Sequence, residues 1–478
     1  MHAIFYLMLL QALLGLFDIV YHHEMTERLT WRKSAVLELR LHGMRNLFYA
    51  VIFFTLGWLS WNGALAWLFA AILVAEVGLT LWDFVEEDRS RDLPASERVT
   101  HALLAVNYGA MLALLAPEIL RWTAMPAGFA WADRGLLTWL MTIATPGLIF
   151  WGLRDLNRAR RLRATPAAGN SGMSAVLPAP MSFLITGGTG FIGARLAQCL
   201  TLAGHRVTIV TRNRRKAARL SGPLTIVDRI DLLDPGQRFD AIVNLAGEPV
   251  ANARWTAAKK ARILDSRLRI TDDLLTFIAA AERKPAVLVS ASAIGFYGTG
   301  GETTFDETST PRPNFTHRLC ARWEQSAARA EEYGVRVCLL RFGLVLGPGG
   351  GVLGGMMPAF EFGGGGPIGS GQQWMSWVHI DDAIGLILHA IADARLRGPV
   401  NVTAPGAVRN RDFTRQLGRA LRRPAFMPLP AFALRLLFGE MAEEMLLDGQ
   451  HVLPKAAEAG GYRFRYPELP AALAAIVR

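Results

Sequence analysis

FLITGGTGFIGARLAQCLTLAGHRVTIVTRN, residues 183–213, is the stretch that decides the fold. Residues 182–186 form a short apolar run typical of a buried strand, and the glycine-rich run GGTGFIG follows it directly. A helical pattern then extends to about residue 203, before a second apolar run at 206–211. A strand, a glycine turn, a helix and a second strand within about 30 residues predict an α/β fold with a parallel sheet.

The glycines of the turn have separate roles in a unit of this kind. Gly187 permits the tight turn, Gly190 lets the backbone approach a pyrophosphate, and Gly193 allows close packing of helix on strand. The helix begins with Phe191 and Ile192, and its free N–H groups would bind the phosphates. We therefore predict a doubly wound Rossmann-type sheet that binds a dinucleotide at these five residues.

The end of the second strand indicates which dinucleotide is bound. Enzymes that use NAD usually place an acidic residue there for the ribose 2′-hydroxyl, whereas this chain has Arg212, followed by Arg214 and Arg215. A carboxylate would repel a 2′-phosphate, and a guanidinium can bind it with two hydrogen bonds. The sequence therefore favours NADP(H) over NAD.

Later motifs, like the GxxGxxG spacing, resemble the extended short-chain dehydrogenase/reductase superfamily. The resemblance implies an adenine contact at Asp231 and Leu232, and a turn beside the nicotinamide ribose formed by Leu245, Ala246 and Gly247. More narrowly, NLAGEPVANARWTAAKKARILDSR, SASAIGFYG, CARWE and SWVHIDD resemble the YfcH-like family of atypical, epimerase-like reductases. This resemblance covers about 182–475, including a small carboxyl-terminal domain, and the preceding residues resemble no family that we recognise.

The catalytic pattern of that superfamily is broken in this chain. Its members usually carry a serine or threonine, then Tyr-x-x-x-Lys, with a glutamate four residues after the lysine. Aligning that glutamate with Glu324 puts Thr316 at the tyrosine position and Cys320 at the lysine position, where neither can act as the usual group does. Ser292 and Tyr297 are the catalytic candidates that remain. Further polar residues, each better explained alone as structural, are Arg254, Trp255, Lys259, Lys260, His317 and His379.

Residues 1–163 predict an all-α transmembrane domain. Five apolar windows, each long enough to cross about 30 Å of hydrocarbon, lie at 3–21, 45–61, 64–82, 101–119 and 135–153. Basic residues are concentrated after the first, third and fifth windows. The positive-inside rule then predicts a multi-pass protein of the inner (plasma) membrane, with the amino terminus outside and the long carboxyl part in the cytoplasm. Membrane orientation also explains the net charge of +11 better than nucleic-acid binding, which we do not expect.

Ionisable residues near these windows allow two interpretations. They are His22, Glu38, His42, Glu76 and His101. Imidazole and carboxylate suit iron or zinc, so a metal or haem site is one interpretation. Interfacial residues with a buried hydrogen-bonded network are the other, which the sequence favours, and no metal ligand is assigned.

The predicted domains are 1–163, transmembrane; 164–180, a flexible linker; 181–400, NADP-binding; and 401–478, a small carboxyl-terminal lobe on the substrate side. The function favoured is a membrane-anchored, NADP(H)-dependent oxidoreductase or epimerase-like enzyme, whose small-molecule substrate the sequence does not reveal. One alternative is a catalytically inactive NADP(H)-binding sensor or scaffold, which the lost tyrosine and lysine favour. The other is a reductase coupled to a metal- or haem-binding membrane domain.

Overall fold

The computed structural model describes residues 2–27, 29–31, 33–91, 93–164, 177, 180–218, 220, 222–251 and 253–477. The chain divides into two compact units, Met1–Pro166 and Ala167–Arg478. Each unit has hydrophobic clusters of its own. The predicted linker, 164–180, lies almost wholly outside the described residues.

The first unit is a bundle of long helices. They are α1 (His2–Phe17), α2 (Val36–Trp58), α3 (Ala64–Ser90), α4 (Ala95–Thr123) and α5 (Leu136–Ala164). A π-helical segment, Asp18–Thr26, extends α1, and short 3-10 turns lie at Leu29–Trp31 and Lys33–Ala35. Two strands, β1 (Leu59–Asn62) and β2 (Gly128–Trp131), pair antiparallel and so bring the connection after α2 beside the connection before α5.

The surface of this unit is apolar, and its interior is charged. Val106 and Ile143 are both 73% exposed, whereas the side chains of Glu38, Asp83 and Glu87 are fully buried. In a water-soluble domain acidic side chains are almost never fully buried unless they are paired. These acids are paired inside the unit, beside an apolar cluster, while large apolar side chains cover much of its outer surface.

Among the described residues, four segments are long and apolar enough to cross a membrane by length and composition. They are His2–Thr26, Ala64–Ser90, Ala95–Thr123 and Leu136–Arg163. The predicted window at 45–61 is not among them, which is a departure from the predicted five. Its helix, α2, carries Arg45 and Asn46 and ends at Trp58, so less of this window is both helical and apolar.

Helix α2 is nevertheless the shielded helix of the bundle. Twelve of its 23 residues are buried, against six of 27 in α3. Its backbone runs close along α5: a Cβ atom at Gly43 would lie 2.9 Å from the carbonyl oxygen of Gly152, and one at Gly57 would lie 3.4 Å from the Cβ atom of Met141. Small residues permit this close approach of two helices. Because its neighbours cover it, α2 needs less apolar surface than the other helices.

The second unit is built on a parallel sheet of seven strands. The strands of this unit, in chain order, are β3 (Ser182–Thr186), β4 (Arg206–Val210), β5 (Leu224–Val227), β6 (Ala241–Asn244), β7 (Val287–Ala293), β8 (Thr304–Phe305), β9 (Arg336–Phe342), β10 (Leu344–Gly347), β11 (Trp374–Met375), β12 (Trp377–His379), β13 (Gly398–Val402), β14 (Val408–Arg409) and β15 (His451–Val452). The sheet order is β13-β9-β7-β6-β3-β4-β5. The order reverses between β3 and β6, and ligands of open α/β sheets bind at the carboxyl ends of the strands at such a point. The predicted Rossmann-type sheet is confirmed.

Helices cover both faces of this sheet. They are α6 (Phe191–Leu202), α7 (Arg214–Ala218), α8 (Ala257–Ala280), α9 (Phe315–Ala328), α10 (Gly351–Glu361), α11 (Ile380–Ala392), α12 (Asn410–Leu421), α13 (Ala431–Phe438), α14 (Glu440–Ala442), α15 (Lys455–Ala459) and α16 (Leu469–Val477). Phe183 and Ile185 of β3 lie in one hydrophobic cluster and Leu184 lies in another, because successive side chains of a strand point to opposite faces. Strands buried on both faces explain the continuous apolar runs in the sequence.

The sheet extends past the predicted domain boundary at 400. Strand β13 pairs with β9 from Gly398 to Val402, so that boundary falls inside a strand. Beyond it, β14 pairs with β11 and β15 pairs with β8, which returns the tail to earlier parts of the same unit. The tail is therefore integrated with the sheet domain.

Candidate cofactor and active site

The backbone of the glycine turn after β3 packs so closely against other backbone atoms that it leaves no room for side chains at two positions. Gly187 has a φ of 67°, and a Cβ atom there would lie 2.7 Å from the carbonyl carbon of Leu245. A Cβ atom at Gly193 would lie 2.3 Å from the carbonyl oxygen of Gly187. Only glycine fits either position without a shift of backbone. The structure thus brings the predicted turn at Leu245, Ala246 and Gly247 directly against the glycine turn.

The helix after this turn begins with Phe191, preceded by Gly190. The Phe191 ring packs against a second glycine run: a Cβ atom at Gly350 would lie 2.3 Å from the ring, and one at Gly347 would lie 2.9 Å from it. Ile192 is partly buried against the core. The side chain of Phe191 therefore holds the helix start against the loop after β10, and the backbone N–H groups of this first turn are what it offers to phosphate.

Arg212 is exposed just past β4, and no described side chain pairs with its guanidinium. Its neighbour Arg214 is engaged with Asp228 at 3.0 Å, and the side chain of Arg215 lies outside the described part. Because β4 is parallel to β3 and adjacent to it, Arg212 and the glycine turn share one edge of the sheet. A free cation at this edge is placed for an anionic group on the cofactor.

The predicted adenine contact lies beyond the neighbouring strand. Asp231 and Leu232 are in the 3-10 turn that follows β5. The carboxylate of Asp231 accepts a hydrogen bond from Nε of Arg229 at 2.9 Å, and Leu232 is 65% exposed. A large apolar side chain this exposed can cover the face of a base.

A buried ion pair lies below the carboxyl ends of β7 and β9. Arg341 donates from Nε and Nη2 to the two carboxylate oxygens of Glu324 at 2.9 and 2.8 Å. Ser292 donates its hydroxyl to Oε1 of Glu324 at 2.6 Å. Burial alone would lower the pKa of Arg341, but the hydrogen bonds and charge of Glu324 raise it above its ordinary value. Ser292 is therefore a buried strand residue that helps to satisfy Glu324, not a solvent-facing hydroxyl.

Tyr297 is buried in the same network. Its side chain is 0% exposed, its hydroxyl donates to Oδ1 of Asn401 at 2.7 Å, and Arg341 donates to that hydroxyl at 3.1 Å. Burial raises the pKa of Tyr297 to about 12, in spite of the neighbouring guanidinium. A catalytic tyrosine needs a lowered pKa and access to substrate. The geometry therefore argues against the predicted role of Tyr297 as proton donor.

Comparison with known proteins identifies the family. The family model described as "NAD dependent epimerase/dehydratase family" matches residues 183–403, and "Domain of unknown function (DUF1731)" matches residues 429–476. The chloroplastic SDR39U1 homologue of Arabidopsis thaliana is 41% identical over 305 residues, which are 62% of this chain and 87% of that protein. The chain belongs to the SDR39U1-like epimerase family.

Relatives of this SDR39U1-like protein include Bos taurus SDR39U1, which is 41% identical and is covered over 100% of its length. A crystal structure of human SDR39U1 (isoform 2) with NADPH is 38% identical, with a TM-score of 0.57, and covers 62% of this chain and 99% of that one. UDP-glucuronic acid 4-epimerase of Bacillus cereus, at 18% identity and a TM-score of 0.52, shares the fold. The narrower YfcH-like assignment stays a prediction.

The positions of the usual tyrosine–lysine pair hold Thr316 and Cys320 in this SDR39U1-like protein. Thr316 and Cys320 lie on α9 and are buried, 8% and 3% exposed. Burial and the charge of Glu324 raise the pKa of the Cys320 thiol to about 11, so it is uncharged at neutral pH. Neither residue supplies the acid or the cation that a tyrosine–lysine pair would supply.

The other polar candidates have partners elsewhere in the unit. These contacts are Arg254 to the carbonyl of Leu436, Trp255 to the carbonyl of Val250, Lys259 to Glu248, Lys260 to Glu440, His317 to the carbonyl of Phe296, and the backbone N–H of Asp381 to His379. Burial lowers the pKa of His379 to about 4, so its neutral ring accepts the hydrogen bond that caps α11. His379 is therefore a capping residue, as the structural interpretation predicts.

Asn401 is the residue of this hydrogen-bond network that the sequence analysis did not identify. It accepts from Tyr297, donates to the carbonyl of Leu453 at 2.9 Å, and lies in the edge strand β13. It is 104 residues from Tyr297, and it belongs to no motif. Only the buried asparagine in an otherwise apolar strand, PVNV, could have indicated a polar partner.

Proposed function

We propose that the second unit binds NADP(H) and acts as an oxidoreductase or epimerase-like enzyme on a small molecule. The observation that carries the proposal is the exposed Arg212, which no described side chain pairs with, at the same sheet edge as the glycine turn. A 2′-phosphate would give this guanidinium a charge-assisted partner. The human relative crystallised with NADPH supports the same choice of cofactor.

The proton donor of such a reaction would differ from that of most extended reductases. Tyr297, Thr316 and Cys320 are all buried, and Ser292 is bonded to Glu324. A donor that belongs to the substrate, or a water molecule held at the strand ends, fits this site better than a tyrosine–lysine pair. The protein would then bind the cofactor, orient it towards the substrate and exclude bulk water.

A sensor or scaffold that binds NADP(H) without turnover is the second candidate. The observation that favours it is the network around Arg341, which uses Ser292, Tyr297 and Glu324 for internal hydrogen bonds. Such a network stabilises the fold but leaves none of these groups free for proton transfer.

Hydride transfer separates the two candidates. The full chain, incubated with NADPH deuterated at C4 and the small-molecule fraction of cells, is expected to transfer deuterium to a metabolite, detected by mass spectrometry. Gly193→Ala, whose added Cβ atom would lie 2.3 Å from a backbone oxygen, should lose the transfer. Gly355→Ala is the matched control, because its added Cβ atom would meet no heavy atom within 4 Å, and it should keep the transfer. Tight NADPH binding without any transfer would instead establish the sensor.

We further propose that the first unit lies in the inner membrane with the second unit in the cytoplasm. Large apolar side chains are exposed on its outer surface, where they could contact lipid, and this supports the placement. Its charged side chains are buried in the bundle, where membrane proteins usually keep them. The basic run Arg158, Arg160, Arg161 and Arg163 at the end of α5 would lie on the cytoplasmic side.

A periplasm-active reporter tests this orientation. Fused near Pro126, between α4 and β2, the reporter should be active, and fused after Arg163 it should be silent, because α5 would return the chain to the cytoplasm. A cytoplasm-active reporter at the same two positions is the control and should give the opposite pattern. Activity of the periplasmic reporter after Arg163 would refute the proposed orientation.

A further inference from the structure

The interior of the first unit holds a cluster of buried acids and histidines from α2, α3, α4 and the π-helical segment. We propose that part of this cluster is a binding site for one divalent transition-metal ion, with Asp18, His23, Glu97 and His101 as ligands. These four residues are buried, and one ligand atom from each lies within 4.8 Å of the other three. No described residue of the second unit takes part in it.

The spacing of the ligand atoms fits a metal ion. Nε2 of His23 lies 3.4 Å from Oδ2 of Asp18 and 3.4 Å from Oε1 of Glu97, and Nε2 of His101 lies 3.2 Å from the same oxygen of Asp18. Nitrogen and oxygen ligands bind zinc at about 2.0–2.1 Å, which places the atoms of a tetrahedral set about 3.3–3.4 Å apart. The three distances are close to the edges of such a tetrahedron, and all pairs of ligand atoms lie within 4.8 Å.

His23 gives an independent indication of a missing ligand. Its side chain is 7% exposed, and its Nε2 atom has no hydrogen-bond partner among the described residues, although two carboxylates lie 3.4 Å away. Those oxygens are at ion-pair distance but are not aligned for a hydrogen bond. A buried imidazole nitrogen left without a partner is costly, and a metal ion bound between the nitrogen and both oxygens would satisfy it.

The ligands are oriented by partners of the kind that metal sites use. Nδ1 of His101 lies 3.2 Å from Oε2 of Glu87, and Oδ1 of Asp18 lies 2.8 Å from Nδ1 of His22. A metal-bound histidine usually donates its other N–H to a carboxylate, and Glu87 lies at ion-pair distance from Nδ1 of His101. Arg91 holds both oxygens of Glu97 at 2.7 and 2.6 Å, which fixes that carboxylate but still leaves a lone pair on Oε1.

The charge of the cluster favours a bound cation. Ion pairs join the carboxylates Asp18, Glu38, Asp83, Glu87 and Glu97 to the guanidinium groups of Arg45 and Arg91 and to the histidines. With neutral imidazoles, these five acids and two arginines carry three excess negative charges in a buried place.

The histidines of the cluster lie beside its carboxylates. The rings of His23 and His42 are stacked, with centroids 4.3 Å apart and planes 3° apart. His42 lies 2.9 and 3.2 Å from the carboxylates of Asp83 and Glu87, and His101 lies 3.2 Å from those of Asp18 and Glu87. A divalent ion bound between His23 and the carboxylates of Asp18 and Glu97 would reduce the excess negative charge by two.

The donor set limits the class of metal and leaves room for a ligand. Two imidazole nitrogens and two carboxylate oxygens, without thiolate, suit Zn²⁺, Fe²⁺, Mn²⁺ or Co²⁺. Asp18 and His23 also line a cavity of 260 Å³, so a small molecule can reach the ion. Of the residues that the sequence indicated, His22, Glu38, His42, Glu76 and His101, only His101 is a proposed ligand. Glu38 binds Arg91, and Glu76 accepts from Thr80.

Metal analysis of the full-length chain tests the proposal. The untagged protein, purified in detergent, is stripped with a chelator, reloaded with Zn²⁺, Fe²⁺, Mn²⁺ or Co²⁺ and freed of loose ions. We expect about one ion per chain for one of these metals and, with Co²⁺, a ligand-field spectrum in the visible range. His23→Ala and Asp18→Asn should weaken binding at least about 10-fold, and His22→Ala, which removes an orienting partner, about 10- to 100-fold.

His2→Ala is the matched control, because His2 is an exposed histidine of the same unit. It should bind metal like the wild type. Asp18→Asn keeps the size of the side chain, and gel filtration in detergent shows whether each variant is folded. Wild-type protein that retains no ion after reloading, or equal metal content in Asp18→Asn, His23→Ala and His2→Ala, would overturn the proposal and leave a buried ion-pair network.

Discussion

Replacing Arg341 with methionine is expected to lower the free energy of unfolding of the second unit by about 3–5 kcal/mol. Arg341 donates to both oxygens of Glu324 and to the hydroxyl of Tyr297, and both charged side chains are less than 9% exposed. Methionine fills similar space but leaves the Glu324 carboxylate buried with only the Ser292 hydroxyl as a partner. Desolvation of an unpaired carboxylate is the main part of the cost.

Pulse proteolysis of the full chain over a urea series measures this change, because it follows the band of the second unit separately. Arg395→Met is the matched control: Arg395 also pairs with an acid, Asp393, but is 80% exposed and should change stability by less than about 1 kcal/mol. The double variant Arg341→Met with Glu324→Leu should recover much of the loss, since no buried charge remains. Equal stability of Arg341→Met and Arg395→Met would contradict this account of the network.

Arg212→Asp is expected to weaken NADPH binding about 10- to 150-fold and to change NADH binding far less. The reason is the loss of a charge-assisted contact to the 2′-phosphate, worth roughly 1.5–3 kcal/mol. An aspartate at this position can instead accept from a ribose 2′-hydroxyl, as in enzymes that use NAD. Titration of each cofactor, followed by the fluorescence of the reduced nicotinamide, measures both affinities.

Arg269→Asp is the control for a change of surface charge, because Arg269 is 82% exposed on α8 and pairs only with Asp265 of the same helix, at 3.5 Å. It should leave the ratio of the two affinities unchanged. An unaltered NADPH affinity in Arg212→Asp would mean that another group binds the phosphate, or that the protein does not select NADP(H).

The parallel sheet could be predicted because each of its sequence signals lies within a few adjacent residues. The glycine turn at Gly187, the apolar strands buried on both faces, and polar residues such as Asn244 at strand ends each follow from a few adjacent residues. Close packing explains why: Gly187 and Gly193 are required by contacts within the same strand–turn–helix unit or with the adjacent strand end. Such contacts leave a signature in the sequence that does not depend on distant partners.

The buried hydrogen-bond network around Arg341 could not be predicted, because the residues that form it are distant from one another in sequence. Tyr297 looked available at the end of a strand, yet its hydroxyl is bound by Asn401 and Arg341, which follow it by 104 and 44 residues. The buried acids of the first unit present the same difficulty, since Glu97 and His23 come from separate helices. Hydrogen bonds of this kind are fixed by tertiary packing, and neither periodicity nor spacing indicates them.

Helix α2, whose Gly43 and Gly57 lie close against α5, decides the parity of the proposed membrane unit. Four helices of the described residues meet the criteria of length and hydropathy, and an even number of spans would put Met1 and the second unit on the same side of a membrane. With α2 as a fifth span, as proposed above, they would lie on opposite sides. A helix that is shielded from lipid by its neighbours needs few apolar residues, so a hydropathy profile can miss it. Including it in the number of spans changes the predicted side of the amino terminus. In membrane proteins with such an inner helix, orientation is better assigned from helix contacts and loop charge than from the number of hydropathy peaks.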